Sequence, residues 1–318
     1  MKPARIAVVG AGHMGRLHAA KIDALARAEG SVVLAGVADL EAGRAREVAE
    51  PLGAAACGGH RELLAAADAF VVAVPTVAHH DVVRDALTAG VDVLVEKPIA
   101  ASPEEAVALL DLARRKGRVL QVGHIEWFNA AMQTVRSVIR RPRFVEAHRL
   151  GPFPARATDV DVVRDLMIHD LDIVLRLVGE EPDRVEAIGV PVVTDRVDIA
   201  NARLGFPGGC VANFTASRVS PTPMRKIRFF QLDGYFSIDL LEQSVVIARR
   251  VADASGEKRV DIQTLEIDRE DALLSQLRAF VEAVETRKVL AGAGTEALSA
   301  LRTAFRVNEA MPSLEELA

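Results

Sequence analysis

The stretch RIAVVGAGHMGRLHA, residues 5–19, decides the fold of this chain. A short β-branched run ends at a glycine, and helical periodicity follows over residues 13–28. An acidic residue, Asp39, ends the next predicted strand. Between the first strand and the helix lies a Gly-x-Gly-x-x-Gly motif, Gly10-Ala11-Gly12-His13-Met14-Gly15. Strand, glycine loop, helix and carboxylate together make up the dinucleotide-binding fingerprint.

Each part of the glycine loop has a physical reason. Gly10 permits the tight turn, Gly12 lets the backbone approach a pyrophosphate, and Gly15 lets helix and strand pack closely. The first helical residues, His13 and Met14, lie where N–H donors and the positive end of the helix dipole favour an anion. We expect all five of these residues to bind the cofactor.

Asp39 also predicts which dinucleotide binds. A carboxylate accepts a hydrogen bond from a free ribose 2′-hydroxyl and repels a 2′-phosphate. Leu40 and Glu41, which follow it, add no positive charge, and Arg44 lies on the next helix, where we expect it to be solvated. The predicted cofactor is therefore NAD.

Strands alternate with helices over the first third of the chain. Predicted strands cover residues 5–10, 32–39, 69–74, 91–96 and 118–123. This alternation predicts an α/β fold with a doubly wound parallel sheet, whose ligands bind at the carboxyl ends of the strands. We assign residues 1–122 to this NAD-binding Rossmann domain.

Two strand ends carry polar residues that suit the cofactor edge. After the third strand come Pro75, Thr76 and His79, and after the fourth come Glu96 and Lys97. We expect these residues to contact the nicotinamide or its ribose. A lysine that leaves a buried strand is unusual, and a nearby cationic nicotinamide would lower its pKa. The alternative is a strand-end lysine in solvent.

The stretch RDLMIHDLDIVLRL, residues 164–177, is an apolar helix with several ionisable groups. Spacing of about 100° per residue places four of them in one stripe: Asp165, His169, Asp172 and Arg176. Asp170 falls among the apolar residues. The stripe is either a solvated row of i,i+3 and i,i+4 pairs or a face on which Asp165 and His169 form an acid/base pair beside a cleft.

The alternation stops near Gly123, and several strands follow in succession from residue 183 to 267. Turn signals between them predict hairpins, so we expect an α+β domain over 123–318 with a large, mostly antiparallel open sheet. Helices near 270–287 and 294–310 can return to the first domain. One sheet face must cover the helix that bears His169. The other carries small, apolar and mildly polar side chains.

Composition narrows the possible partners of this 318-residue chain. A net charge of −5 and 4% aromatic residues give no basis for binding nucleic acid or an anionic membrane. Cys57 and Cys210 lie far apart without metal-type spacing, which predicts packed thiols, no metal site and a reducing cytoplasm. The N-terminus reaches the first strand at once, which is unlike a signal peptide. No apolar run has membrane-spanning length.

In combination and in this order, the glycine loop, the acidic strand end, PTVAH, EKPIA and D-x-x-x-H resemble the Gfo/Idh/MocA family of nicotinamide-dependent sugar and polyol dehydrogenases. The resemblance implies that Lys97, Asp165 and His169 form the catalytic group. His169 is the implied general base, Asp165 orients its ring, and Lys97 stabilises the alkoxide. Members of this family also bury a sheet face between subunits, which implies a homodimer or homotetramer.

The run VGHIEWFNAA, residues 122–131, resembles the GHIERFNPA pattern of the branch that oxidises the 3-hydroxyl of UDP-N-acetylated sugars. Trp127 stands where that pattern has arginine, and Ala130 where it has proline. The implied contacts to sugar hydroxyls come from His124, Glu126 and Asn129. Arg156, with Arg149 as a further candidate, can meet a substrate phosphate.

Other functions remain open at this point. The chain can oxidise inositol or a free sugar, or it can use transient oxidation to hydrolyse a glycoside, as a few members of the family do. A regulator that binds NAD without turnover is a further alternative. Such a protein would not need to keep Lys97, Asp165 and His169 together.

Overall fold

A computed structural model of the chain describes residues 2–153, 161–252, 258–288 and 294–312. Its strands are β1 (Ala4–Val9), β2 (Val32–Ala38), β3 (Ala55–Cys57), β4 (Ala69–Val72), β5 (Asp92–Val95), β6 (Leu120–Val122), β7 (Phe144–Leu150), β8 (Arg184–Val190), β9 (Ile199–Gly205), β10 (Val211–Ser217), β11 (Met224–Gln231), β12 (Gly234–Asp239), β13 (Ser244–Ala252) and β14 (Lys258–Leu265). Its α-helices are α1 (His13–Glu29), α2 (Ala42–Ala49), α3 (His79–Ala89), α4 (Pro103–Lys116), α5 (Ala130–Val135), α6 (Ile168–Val178), α7 (Ala272–Thr286) and α8 (Thr295–Glu309).

The first sheet confirms the predicted parallel, doubly wound arrangement. Its strand order is β3-β2-β1-β4-β5-β6, and every neighbouring pair is parallel. β4 and β5 are buried along their whole length, as expected for strands covered on both faces. The short β3 was not predicted, because Ala55–Cys57 contains no β-branched residue and is largely exposed.

The second sheet is mostly antiparallel, as predicted. Its order is β14-β13-β12-β11-β7-β10-β9-β8, and β7 and β10 form the parallel pair within it. The sequence reading missed β7. Its inward positions are Val145, Ala147 and Arg149, and a buried arginine breaks the alternation by which a strand is recognised.

The chain divides into two compact units. The first comprises residues 1–125 and 271–298, and the second comprises 126–270 and 299–318. Helix α7 therefore belongs with the parallel sheet, where Leu277 and Phe280 pack in the same buried cluster as Ile22 of α1. Among the described residues, no helix is both long enough and apolar enough to cross a membrane.

One face of the second sheet carries charged pairs that the sequence reading did not expect. Arg228 donates to Glu146 at 3.3 Å across β11 and β7. Beside them, Phe144, Phe230 and Tyr235 form an aromatic cluster with ring centroids 5.5 and 4.9 Å apart. The prediction of a small, apolar and mildly polar face is thus wrong. Ion pairs between neighbouring strands compensate the charges on this face, and such partners cannot be identified from the sequence of one strand.

Candidate active site

The first unit has a cavity of about 550 Å³ at the carboxyl ends of its parallel strands. Its lining includes Gly10 and Gly12 after β1, Asp39 after β2, and Val74 and Pro75 after β4. This is the edge of the sheet at which doubly wound folds bind nucleotides, beside the point where the strand order reverses. Four of the predicted cofactor residues, Gly10, Gly12, Asp39 and Pro75, therefore line one cavity.

The glycine loop has the geometry that a pyrophosphate needs. Gly10 has a φ of 97°, and a Cβ atom there would lie 2.5 Å from the carbonyl oxygen of Ala73. A Cβ at Gly15 would lie 1.7 Å from the carbonyl oxygen of Gly10. At Gly12, in contrast, a Cβ would have no protein atom within 4 Å. The space that a side chain would fill at the start of α1 thus fits the phosphates of NAD.

Asp39 supports the glycine loop as well as facing the cavity. One carboxylate oxygen accepts from the backbone N–H of Ala11 at 2.7 Å, and the other accepts from that of Glu41 at 2.8 Å. An ionised carboxylate has about four acceptor positions, so acceptor capacity remains for ribose hydroxyls. Arg44 lines the same cavity rather than standing apart from it, and Glu41 pairs with its guanidinium at 2.8 Å.

Lys97 follows β5 and is half-buried. The residue before it, Glu96, has its carboxylate 2.7 Å from Nε2 of His18, whose side chain is fully buried in α1. The peptide between Lys97 and Pro98 is cis. The Glu96 carboxylate is thus held against α1, one residue from the candidate catalytic lysine.

His79 does not offer a ring nitrogen to the cofactor, contrary to expectation. Its ring is buried at the start of α3, with 1% of the residue exposed. Nδ1 lies 2.8 Å from the carbonyl oxygen of Pro98, and Nε2 lies 3.0 Å from that of Val74. Both nitrogens are therefore occupied by the backbone. Thr76 begins a short 3₁₀ turn, Thr76–Ala78, between the cavity wall and this ring.

The helix with the ionisable residues is not a regular α-helix throughout. A π-helical turn, Val163–Met167, precedes α6. Asp165 lies in the π turn and His169 in the first turn of α6, and both are half-buried. π turns inside helices occur frequently at functional sites. The π turn departs from the spacing of 100° per residue on which the predicted stripe rests.

The remaining acidic residues of this helix are structural. Asp172 is fully buried and accepts from Arg176 at 2.8 and 3.0 Å. Asp170 is also buried, and its carboxylate accepts from Nε and Nη2 of Arg149 at 2.8–3.2 Å. Asp170 and Asp172 each have an arginine partner, so these two buried charges are compensated.

Arg149 and Glu126 belong to this buried network. Nη1 of Arg149 donates to Oε1 of Glu126 at 2.8 Å, and Arg225 approaches the same oxygen at 3.3 Å. Burial alone would lower the pKa of Arg149, but Asp170 and Glu126 more than offset it and raise the pKa above its ordinary value. The expected substrate contacts of Arg149 and Glu126 are therefore corrected, since both groups are committed inside the second unit.

Asn129 is likewise occupied. Its side-chain oxygen caps α5 by accepting from the N–H of Ala131 at 3.1 Å, and its amide donates to the carbonyl of Leu240 at 2.9 Å. Only 4% of the residue is exposed. We therefore withdraw its predicted contact with sugar hydroxyls and assign it to holding α5 against β12.

Trp127 packs between two cations. The guanidinium carbons of Arg136 and Arg176 lie 5.4 and 5.0 Å from the ring centroid, within cation–π range. Of the other predicted substrate residues, His124 is buried at the end of the first unit, and Arg156 lies outside the described residues.

Comparison with known proteins matches both halves of the chain. A family profile described as "Oxidoreductase family, NAD-binding Rossmann fold" matches residues 4–124, and the "GFO/IDH/MocA C-terminal domain" profile matches residues 131–237. The chain belongs to the Gfo/Idh/MocA oxidoreductase family. It is an NAD-binding oxidoreductase, as the sequence predicted.

Individual members of this family are similar over nearly the whole chain. UDP-N-acetylglucosamine 3-dehydrogenase of Acidithiobacillus ferrooxidans is 40% identical over 309 residues, which cover 96% of this chain and 97% of the relative. A solved structure of UDP-N-acetylglucosamine 3-dehydrogenase GnnA from that organism matches with a TM-score of 0.90 and 39% identity, over 98% of each chain. Inositol 2-dehydrogenase of Rhizobium meliloti is 26% identical and covers 94% of each chain.

Motif reasoning within this family missed His18 and Arg225. His18 recurs with Ile22 and Leu25 at helical spacing, and this position on the apolar face of α1 indicates a buried, partnered histidine. Arg225 gives no such signal, because its link to Glu126 joins residues 99 positions apart. The register of β7 and β11 reveals this link, because it places Arg225 opposite Arg149.

Proposed function

We propose that this oxidoreductase oxidises the 3-hydroxyl of UDP-N-acetylglucosamine. The observation that carries the proposal is the 40% identity, over 96% of the chain, to the enzyme of that name. In this reaction the C3 hydrogen leaves as a hydride, the hydroxyl proton goes to a base on the protein, and a 3-keto sugar nucleotide remains. Bound NAD supplies the hydride acceptor.

The chain's own residues take three roles in this proposal. His169 accepts the hydroxyl proton, Asp165 orients its ring, and Lys97 stabilises the alkoxide as the proton leaves. The buried pair of Arg149 with Asp170 supports these roles because it anchors the first turn of α6, in which His169 lies. His124 and Arg156 remain proposed contacts for the sugar and its phosphates.

The test is reduction of NAD, followed by the absorbance of NADH, with UDP-N-acetylglucosamine as substrate. A parallel reaction contains 2-oxoglutarate, in case the cofactor must be recycled on the enzyme. Detection of a 3-keto product by mass spectrometry supports the proposal. Absence of turnover, together with clear activity on myo-inositol or a free hexose, contradicts the proposal. That result favours the second candidate function, oxidation of inositol or a free sugar, which the similarity to inositol 2-dehydrogenase supports.

Variants test the assigned roles separately from the substrate. Lys97→Ala and His169→Ala should lower kcat at least about 100-fold while NAD still binds, because general acid–base help is typically worth about 10²–10⁴-fold. Lys116→Ala and His80→Ala, at surface positions of α4 and α3, are the matched controls. A near-normal kcat in either test variant would remove that residue from the mechanism.

Two properties of the whole protein also remain proposals. We propose a homodimer or homotetramer formed through the sheet face that carries Phe144, Phe230 and Tyr235, because this aromatic cluster is only partly covered within one chain. A cytoplasmic location follows from the predicted reduced thiols, and cell fractionation would test it.

A further inference from the structure

Lys97 stands between two residues that buried histidines hold. On one side, the carboxylate of Glu96 lies 2.7 Å from Nε2 of His18. On the other side, the carbonyl oxygen of Pro98 lies 2.8 Å from Nδ1 of His79. Both histidines are at most 1% exposed. Two buried polar side chains thus fix the backbone on each side of the candidate catalytic lysine.

His79 makes a second contact that links this segment to the cofactor cavity. Its Nε2 lies 3.0 Å from the carbonyl oxygen of Val74, and Val74 and Pro75 line that cavity. The ring therefore bridges the segment after β4 and the segment after β5. These two segments are not neighbours in sequence, and one ring nitrogen faces a carbonyl oxygen of each.

The two contacts of His79 depend on its protons. Backbone carbonyls only accept hydrogen bonds, and a neutral imidazole has one N–H donor. A neutral ring can therefore donate to Pro98 or to Val74, while the imidazolium donates to both. The choice between tautomers also decides which segment is held when the ring is neutral.

Burial and the neighbouring polar groups shift the pKa of His79 in opposite directions. Burial lowers the pKa of His79, and the two carbonyl contacts and the carboxylate of Glu96 offset this only in part, so the pKa lies below its usual value and the neutral ring is favoured. Glu96 also faces His18, and Lys97 lies next to it in the chain. On α3 itself, Asp81 is paired with His80. Glu96 is thus a carboxylate whose charge acts against the effect of burial on the ring.

We propose that His79 is a positioning residue for the oxidation. It fastens the segment that carries Lys97 to the wall of the cofactor cavity through its two backbone contacts. The inference rests on the proposed role of Lys97. The Pro98 contact holds Lys97 for the chemical step, whereas the Val74 contact shapes the cavity wall and so affects how tightly the cofactor binds.

Two isosteric substitutions separate these contacts. His79→Asn keeps a donor near the position of Nδ1, facing Pro98, and His79→Gln keeps one near Nε2, facing Val74. The primary measurement is amide hydrogen exchange in the protein without substrate. His79→Gln should speed exchange over residues 97–101, and His79→Asn should speed it over residues 74–78. His80→Asn and His80→Gln, on the adjacent half-exposed residue, are the matched controls.

The kinetic constants should divide in the same way. We expect His79→Gln to lower kcat about tenfold with little change in the Kd for NADH, since one lost hydrogen bond is worth up to about tenfold. We expect His79→Asn to raise the Kd for NADH by a similar factor with kcat largely kept. The kcat is measured on whichever sugar or polyol the enzyme oxidises.

Equal effects of the two substitutions on both segments would overturn the inference, and so would the absence of any effect. Loss of folding in both variants would also overturn it, because that result would indicate a role in stability alone. Hydrogen exchange and NADH binding need no sugar substrate. If UDP-N-acetylglucosamine is not oxidised, the proposed function fails while these two measurements still decide the role of His79.

Discussion

Replacing Arg149 by methionine should destabilise the second unit strongly. The arginine side chain is 4% exposed and makes four N–H···O contacts, three to Asp170 and one to Glu126. Methionine fills much of the same space but leaves two carboxylates buried, with Arg225 3.3 Å from Glu126. Breaking a buried pair by removing one partner costs about 3–5 kcal/mol. That loss corresponds to a fall of about 10 °C in melting temperature.

The pH dependence of the Arg149→Met variant identifies the cause. Burial already raises the pKa of Asp170 above its usual value, and the loss of Arg149 removes the largest contribution that lowers it. The penalty at Asp170 is therefore fully present above that raised pKa and disappears as the pH falls through it. Equilibrium unfolding at a series of pH values should show the gap between variant and wild type narrowing toward acid.

A matched control removes the charges together. Arg149→Met combined with Asp170→Asn and Glu126→Gln leaves no uncompensated carboxylate at these positions, and it should recover part of the lost stability, because the uncompensated buried charge is the main cost of breaking the pair. A loss below about 1 kcal/mol in the single variant would refute the reasoning, since that is the size expected of an exposed pair.

Three further predictions concern the cofactor, acid stability and self-association. Asp39→Ala removes the acceptor for Ala11 N–H as well as the ribose-facing carboxylate, so calorimetry should show weaker NAD binding and a narrower preference over NADP. Burial alone would raise the pKa of Asp198, but backbone N–H groups and an arginine hold it well below its usual range. Asp198→Asn should therefore cost stability at neutral pH, and its unfolding free energy should approach that of wild type only in strong acid. Arg228→Glu places a second negative charge beside Glu146 on the sheet face proposed to join the subunits. The molar mass measured by light scattering should therefore fall toward that of one chain.

Local pattern was sufficient to predict the first unit. Its strands contain continuous apolar runs over residues 6–9, 69–72 and 93–95, and the glycine loop comes directly after β1, so hydrophobicity and motif agree at each step. The exceptions are informative. β3 has only three residues and little apolar surface, so it is a strand only because β2 pairs with it. β7 was hidden by Arg149, an inward-pointing cation whose two partners lie elsewhere in the chain.

The candidate site was predictable to a lesser degree, and the reason is specific. Sequence identifies side chains that suit a ligand, but it does not show whether another group already occupies them. Backbone N–H and C=O groups are present at every residue, so no motif marks the ones that bind His79, Asn129 or Asp39. Glu126 differs because its partners are the side chains of Arg149 and Arg225, and the pairing of β7 with β11 places these two arginines opposite each other.

This distinction orders the experiments on the site. A substitution at Asn129 or Glu126 removes a capping contact or unbalances a buried charge, so its loss of activity would accompany a loss of stability. A substitution at Lys97 or His169 should instead lower kcat at nearly constant stability, because each lies half-buried at an element's end. Measuring unfolding alongside kcat for all four positions therefore separates residues that act on the substrate from residues that hold the fold. If Glu126→Gln lost activity with unchanged stability, the assignment of Glu126 to the buried network would be wrong.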